Sequence, residues 1–183
     1  MLFQAIRSDG NISPFLGTEC SENGVSVNIE NRLNPANDYL IIKVDDYYNS
    51  INIANRPPSP DCLVIVKCAE ENSYKIYIVE LKDINSQKGF DIKNIREKFS
   101  TCINDFMKGV LDCHLSDEAL SFTEVNLLFV SNPYNESYEG ERHLKSKSTK
   151  IDSLLALNTR PFRYDGKRLG IQHKSSSPTI TPC

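Results

Sequence analysis

The sequence lacks any apolar run long enough to cross a membrane. A bilayer-spanning helix needs about 20 consecutive apolar residues, and none of the runs in this chain of 183 residues approaches that length. The opening segment, MLFQAIRSDGN, also lacks the basic stretch leading into an apolar stretch that marks a secretory signal. We therefore expect neither membrane association nor export.

The sequence also lacks any C-x-x-C pair, although it contains six cysteines: Cys20, Cys62, Cys68, Cys102, Cys113 and Cys183. Without such a pair, the spacing does not indicate a structural zinc site. Cys62 and Cys68 fall in an apolar segment, which favours small buried hydrophobic side chains over ligands. The scattered cysteines are typical of reduced thiols, so we expect an intracellular, cytoplasmic setting.

A strong excess of positive charge is missing too, because the net charge is −3. That value argues against a general nucleic-acid binder. Residues 139–183 nevertheless contain nine basic and four acidic side chains, which leaves +5 in this segment and −8 in residues 1–138. Such an asymmetry can hold a phosphate backbone, but a solvated, lysine-rich surface gives the same pattern.

The length and the 39% hydrophobic content fit one domain over residues 1–174. Residues 175–183 show no core-forming pattern and are expected to be a flexible tail. Apolar, β-branched segments predict strands at 39–44, 62–68, 74–81 and 125–130, and a period of 3.6 predicts one helix over 91–113 with Asp91 as its cap. Three strands followed by a helix and a strand predict an α/β domain with a mixed sheet flanked by helices.

Three charged residues lie where two of these strands end. Glu80 and Lys82 share one face because they are two positions apart. A four-residue loop joining the strands, either Ala69–Asn72 or Glu70–Ser73, would place Asp61 opposite Glu80 or opposite Lys82, on the same face in both cases. A loop with an odd number of residues would turn Asp61 to the other face.

Two carboxylates and one ammonium at the end of a sheet favour a metal site. Adjacent carboxylates repel each other unless a cation lies between them, and oxygen ligands suit Mg²⁺. Such an ion polarises phosphates, and a neighbouring lysine can orient or deprotonate an attacking water. The simpler interpretation is an exposed Glu-x-Lys salt bridge, worth about 0–1 kcal/mol.

Pro60-Asp61 followed by Glu80-Leu81-Lys82, with a helix and a strand after them, resembles the PD-(D/E)XK nuclease superfamily over roughly residues 39–130. The resemblance implies a restriction endonuclease-like core in the order αβββαβ, carrying a basic C-terminal appendage. It also implies that Asp61, Glu80 and the Leu81 carbonyl bind Mg²⁺, with Mn²⁺ as a substitute. Lys82 would position or activate the water.

Many members of this superfamily carry a further acid on the first helix. Glu19, Glu22 and Glu30 are the candidates here, although no helical pattern surrounds them. Glu30 ranks first because it lies nearest to the start of the expected core.

The resemblance implies a Mg²⁺-dependent endonuclease acting on DNA, of the restriction or homing type. Cutting both strands takes two sites, so we expect a homodimer. Asp165-Gly166 predicts a hairpin turn, and Arg163, Lys167 and Arg168 beside it would grip the DNA backbone.

Other functions remain open at this point. One is a non-catalytic module that binds nucleic acid or protein on the same fold, and another is a structure-specific nuclease of junctions or repair. A small-molecule phosphoester hydrolase is disfavoured because no glycine-rich phosphate loop is present. The sequence does not specify the recognition site, nor whether the substrate is DNA or RNA.

Three further features are interpreted as structural. Cys113-His114 suggests a thiol beside a base, but adjacent helical residues do not face each other, so a helix end is favoured. Asp45-Asp46 is interpreted as a turn after the strand at 39–44. His173 is interpreted as a surface residue.

Overall fold

A mixed six-stranded sheet forms the centre of the molecule, with helices on one face and a smaller sheet on the other. The computed structural model describes residues 2–52, 54–83, 91–132, 151–175 and 177–183. The strands are β1 (Leu16–Gly17), β2 (Cys20–Glu22), β3 (Val25–Ile29), β4 (Tyr39–Lys43), β5 (Cys62–Lys67), β6 (Ser73–Lys82), β7 (Ser121–Ser131), β8 (Phe162–Tyr164), β9 (Lys167–Leu169), β10 (Ile171–Ser175) and β11 (Thr179–Ile180).

The helical segments are short, and several of them pack against one face of the main sheet. The α-helices are α1 (Leu2–Ser8), α2 (Val44–Ser50), α3 (Ile92–Thr101) and α4 (Asp112–Leu115). A π-helix, Cys102–Val110, joins α3 to α4, and short 3₁₀ turns lie at Ser13–Phe15 and Leu157–Thr159. Residues 151–156 are helical. The predicted α/β class, with a mixed sheet flanked by helices, is confirmed.

The main sheet has the strand order β1-β4-β5-β6-β7-β10. Strands β1, β4, β5 and β6 pair antiparallel, whereas β6, β7 and β10 run parallel to one another. The parallel pairing of β6 and β7 needs a long connection, and α3 lies within it. The three expected strands, the helix and the next strand therefore occur in the expected order.

Both faces of the main sheet are buried, which explains the nearly continuous apolar strands. Alternate residues point to opposite faces. Leu63 and Ile65 of β5 pack against the helices, whereas Val64 and Val66 pack against the second sheet, which has the order β11-β3-β2. The charged residues at the ends of β5 and β6 consequently interrupt a fully apolar layer.

The helix predicted over 91–113 is divided into three parts. Asp91 caps it as expected, since its side chain accepts hydrogen bonds from the Lys93 and Asn94 amides. From Cys102 the chain follows a π-helix, which ends with the Leu111 amide bonded to the Phe106 carbonyl at 2.8 Å. Apolar spacings of 3 and 4 do not distinguish this winding from a regular α-helix, so the periodicity does not predict it.

Two disulfides contradict the expected reducing, cytoplasmic setting. Cys20 on β2 is bonded to Cys62 on β5, and Cys68 is bonded to Cys183. Disulfides persist in oxidising environments, so the prediction of a cytoplasmic location is wrong. The reason is that partners separated by 42 and 115 positions come together only through sheet packing, which cysteine spacing does not reveal.

The segment expected to be a flexible tail pairs with the second sheet. β11 lies parallel to β3, and Ile180 is buried among the residues between the two sheets. The Cys183 disulfide then ties this segment to the end of β5.

Within the described ranges, none of the helices combines the length and the apolar character that crossing a membrane requires.

Removing the Cys68–Cys183 disulfide should destabilise the protein. This bond closes a loop of 115 positions, so the double variant Cys68→Ser/Cys183→Ser should lose about 2–4 kcal/mol of unfolding free energy. Equilibrium urea unfolding without reductant measures the loss. Cys113→Ser is the control, because Cys113 is an exposed free thiol, and in metal-free buffer it should change stability by less than about 0.5 kcal/mol. Equal stability of the double variant and the native protein would refute the structural role of this bond.

Candidate functional site

The turn between β5 and β6 fixes which charged residues meet. Cys62 pairs with Val79, and the Cys68 amide donates to the Ser73 carbonyl at 2.8 Å. The connecting loop is therefore the four residues Ala69–Asn72. This is the first of the two registers considered, and it places Asp61 across from Glu80.

Asp61 is held at the start of β5 from two directions. Its Oδ2 accepts a hydrogen bond from the Leu81 amide at 2.6 Å, and its backbone carbonyl accepts one from the Val44 amide at 3.1 Å. The residue is only 7% exposed. Since the amide and the carbonyl of a strand residue face the same neighbouring strand, the Leu81 carbonyl also faces the β5 side.

Glu80 lies deeper, at 1% exposure. Its Oε1 accepts a hydrogen bond from the Lys98 ammonium on α3, with 2.7 Å between oxygen and Nζ. Its Oε2 is buried, and within the described part of the chain no donor reaches it. A buried carboxylate oxygen without a partner is costly, so this atom marks the place where a cation or a proton would lower the energy most.

The proximity of the two carboxyls raises the proton affinity of Asp61 and lowers that of Glu80. Burial, and then the charge of Glu80, raise the pKa of Asp61 to about 8. Burial also raises the pKa of Glu80, although Lys98 acts in the opposite direction. Burial is the largest single effect on Lys98 and would lower its pKa, but the charge and hydrogen bond of Glu80, together with the charges of Asp61 and Glu22, raise it overall. Without a second cation, the pair therefore favours holding a proton at neutral pH.

Lys82 lies on the same face of β6 as Glu80, two positions further along the strand. It is partly exposed, and its charge lowers the pKa of Glu80. Lys82 stands opposite Ser131 of β7 in the parallel register. Of the three residues chosen from the sequence, Asp61 and Glu80 form the buried centre and Lys82 lies at its margin.

Lys98 is the principal residue that sequence reasoning missed. It lies three positions after Ile95 and beside Phe99, both of which are buried on the inner face of α3. The sequence feature that could have indicated Lys98 is a lysine at the edge of the buried apolar face of a helix.

Of the three candidate upstream acids, Glu22 is the one whose charge acts on the buried site. Its charge acts on the pKa values of Asp61 and Lys98, whereas Glu30, the preferred candidate, forms an ion pair with Arg32 at 2.7 Å. Glu19 is exposed. Glu22 belongs to a strand, and α1 carries no acid at all.

A second missed acid is Asp45, which lies in the first turn of α2 and not in the expected turn. Its pKa is raised by burial first, then by Asp46 and, more weakly, by Glu22. Glu22 thus adds negative charge to the surroundings of both Asp45 and Asp61.

The predicted basic hairpin is present. Asp165 and Gly166 both have positive φ angles, 47° and 71°, as a type I′ turn between twisted strands requires. Arg163 and Arg168 face each other directly across β8 and β9, and both are exposed. The Lys167 ammonium instead donates to the backbone carbonyls of residues 122 and 123, so it is engaged within the fold.

The hairpin borders a basic cleft, which we define by Lys93, Arg96, Lys108 and Arg163. The cleft lies between α3 and β8, where the Arg96 guanidinium stacks over the Phe162 ring at 4.5 Å. Glu97 is the acidic residue in its lining. The helix that supplies Lys98 to Glu80 therefore also supplies two of the four basic residues of this cleft, Lys93 and Arg96.

The raised pKa of Asp61 predicts a pH-dependent stability in metal-free buffer. Between the ordinary value of 3.8 and about 8, the folded protein retains a proton that the unfolded chain releases. The unfolding free energy should therefore fall as the pH rises through this window, which urea midpoints in EDTA would measure. Asp61→Asn should flatten the dependence, whereas Asp117→Asn, at an exposed position, should keep it. A midpoint of the native protein that rises with pH would contradict the assignment.

Comparison with known proteins adds no relative. No family model matches the chain, no characterised protein matches it, and no solved structure matches it. The site is therefore interpreted from its own geometry.

Proposed function

We propose that the protein is a metal-dependent endonuclease that hydrolyses phosphodiester bonds in DNA. The observation that carries the proposal is the buried pair of Asp61 and Glu80, in which one carboxylate oxygen lacks a partner. Two buried carboxyls at the end of a sheet reduce stability unless a cation, a proton or hydrogen bonds compensate them, so a function is the reason to keep them. Binding a cation between them is the purpose that the arrangement fits best.

The residues present fit Mg²⁺ or Mn²⁺. Glu80 Oε2 is buried without a donor, and Asp61 commits only Oδ2 to the Leu81 amide. Together with the Leu81 carbonyl, they offer only oxygen ligands, which both ions accept. When bound there, the ion would supply Lewis-acid polarisation of a phosphate oxygen.

The chain's own side chains would divide the remaining work. Lys82 lies beside the pair and partly exposed, so it can orient a water, take a proton from it or offset negative charge on the phosphate. Lys98 holds Oε1 of Glu80 and keeps that carboxylate in a single orientation. In this scheme Lys98 is a positioning residue, and it does not touch the substrate.

The order of elements supports a PD-(D/E)XK-type core as part of the proposal. Strands β4, β5 and β6 form an antiparallel series, α3 follows, and β7 pairs parallel to β6. The motif residues end β6 and precede β5, as the resemblance implies.

The basic hairpin offers a grip for the DNA backbone. Like charges directly across a strand pair are destabilising unless an anion lies near them, and Arg163 and Arg168 are such a pair. A phosphate would relieve their repulsion, and the basic cleft would extend the contact along α3. Lys167 is left out of this grip because its ammonium binds backbone carbonyls.

The rival function is a non-catalytic binding module. The ion pair of Lys98 with Glu80 favours this binding module, because an internal cation already neutralises the Glu80 charge. Restriction, homing and structure-specific enzymes would share the chemistry proposed here and differ in their products. A homodimer would supply the two sites that a double-strand cut needs.

The first test of the proposed function is metal-dependent cleavage. Purified protein is incubated with supercoiled plasmid, linear genomic DNA and a four-way junction, in Mg²⁺, in Mn²⁺ and in EDTA. We expect cleavage only with metal, and we expect Lys82→Met to lower its rate at least about a hundredfold while DNA binding persists.

The matched control for that variant is Lys67→Met, at the opposite end of the same pair of strands. It should cleave at the native rate, because Lys67 pairs with Tyr74, far along β6 from Glu80. If all three DNA forms stay intact with either metal while binding persists, the non-catalytic module replaces the nuclease proposal.

The second test concerns the backbone grip. Arg163→Ala/Arg168→Ala should weaken DNA binding and reduce the slope of log K against log salt by about 1.8, since each lost phosphate contact removes about 0.9. Fluorescence anisotropy at several salt concentrations measures both effects. Arg32→Ala removes an exposed arginine that is paired with Glu30, and it should leave the slope unchanged. An unchanged slope in the double variant would place the DNA elsewhere.

A further inference from the structure

A second group of metal-ligating side chains lies outside the site described above. Asp9 follows α1, and Cys113 and His114 lie on α4. One ligand atom from each of the three side chains falls within 4.8 Å of the other two. The adjacent residues Cys113 and His114 were expected not to cooperate, but the short α4 presents both of them to Asp9.

The group is held in place by its surroundings. The His114 Nε2 and the Asp9 Oδ2 lie 2.8 Å apart, and the Asn11 amide donates to the other oxygen of Asp9 at 2.8 Å. Asp9 and His114 are largely shielded, with side-chain exposures of 18% and 13%. One oxygen of Asp9 is thus committed to the chain, and the other faces the histidine and the thiol.

The donor set indicates which ion would fit. A thiolate sulfur, an imidazole nitrogen and a carboxylate oxygen are the ligands that Zn²⁺ accepts, whereas Mg²⁺ takes oxygen only. Tetrahedral bonds of about 2.0–2.3 Å put ligand atoms about 3.3–3.7 Å apart. The observed group would need only small side-chain rotations to reach that spacing.

We propose that Asp9, Cys113 and His114 form a Zn²⁺ site that fastens the end of α1 to α4. Three protein ligands leave a fourth position for water, and Asp9 and Cys113 both line an open cleft that also includes Phe15 and Tyr47. The ion replaces the Asp9–His114 contact with bonds to both residues and to the thiolate. This site shares no residue with the buried pair of Asp61 and Glu80.

Cobalt substitution tests the site directly. In an Asp61→Ala background, which removes the other candidate metal position, Co²⁺ should bind with about one equivalent and give the visible bands of a tetrahedral ion together with thiolate charge transfer. Asp9→Asn and His114→Gln should weaken this signal at least about tenfold in affinity, and Cys113→Ser should abolish the charge-transfer band. Asp112→Asn, on the same helix, is the matched control and should keep the full signal.

Thiol protection and thermal stability give independent readouts. Zn²⁺ should slow alkylation of Cys113 by iodoacetamide, followed by mass spectrometry, and it should raise the Tm by about 5–10 °C at roughly a hundredfold excess over its Kd. Cys102 is buried and serves as the internal reference for alkylation. The proposal is overturned if the charge-transfer band is absent and Cys113 is alkylated as fast with Zn²⁺ as without it. Asp9 and His114 would then form an ordinary ion pair. Loss of DNA cleavage in the Asp61→Ala background would concern only the site of Asp61 and Glu80, so it does not affect this test.

Discussion

The structure depends on removing two carboxyls from water at neighbouring strand ends. Asp61 and Glu80 can occupy these positions only because the fold supplies a backbone amide to one and the Lys98 ammonium to the other. Each contact constrains a larger element: the first ties the start of β5 to the end of β6, and the second ties α3 to the face of the sheet. Because burial of charge is costly, neither constraint can relax without affecting stability.

The central part of the site could be predicted because it is local. Strand alternation and a four-residue loop are enough to put Asp61, Glu80 and Lys82 on one face. Lys98 and Glu22 could not be assigned in the same way, since their positions depend on how a helix and a separate strand pack against that face. The choice among Glu19, Glu22 and Glu30 has the same limit, because distance along the chain is a poor guide to distance across a sheet.

The limits on predicting the fold have the same origin. Strands buried on both faces stand out as continuous apolar segments, so β4–β7 were evident. The partner of Cys20 lies on another strand, that of Cys68 lies beyond β11, and the pairing of β11 depends on only two residues. The π-helix keeps the apolar spacing of an α-helix. These features follow from tertiary packing, which a periodic pattern does not encode.

The second sheet has a consequence for the order of folding. Ser26 on β3 and Ser177 just before β11 are hydrogen-bonded across 151 positions, so this sheet closes only after nearly all the intervening chain is available. Contacts between such distant segments form slowly. Until they form, Ile180 cannot complete the apolar cluster that contains Val64 and Val66, and the part of this face left open to water promotes aggregation of the unfinished protein. The late closure of a three-stranded sheet therefore governs how long the folding chain is vulnerable.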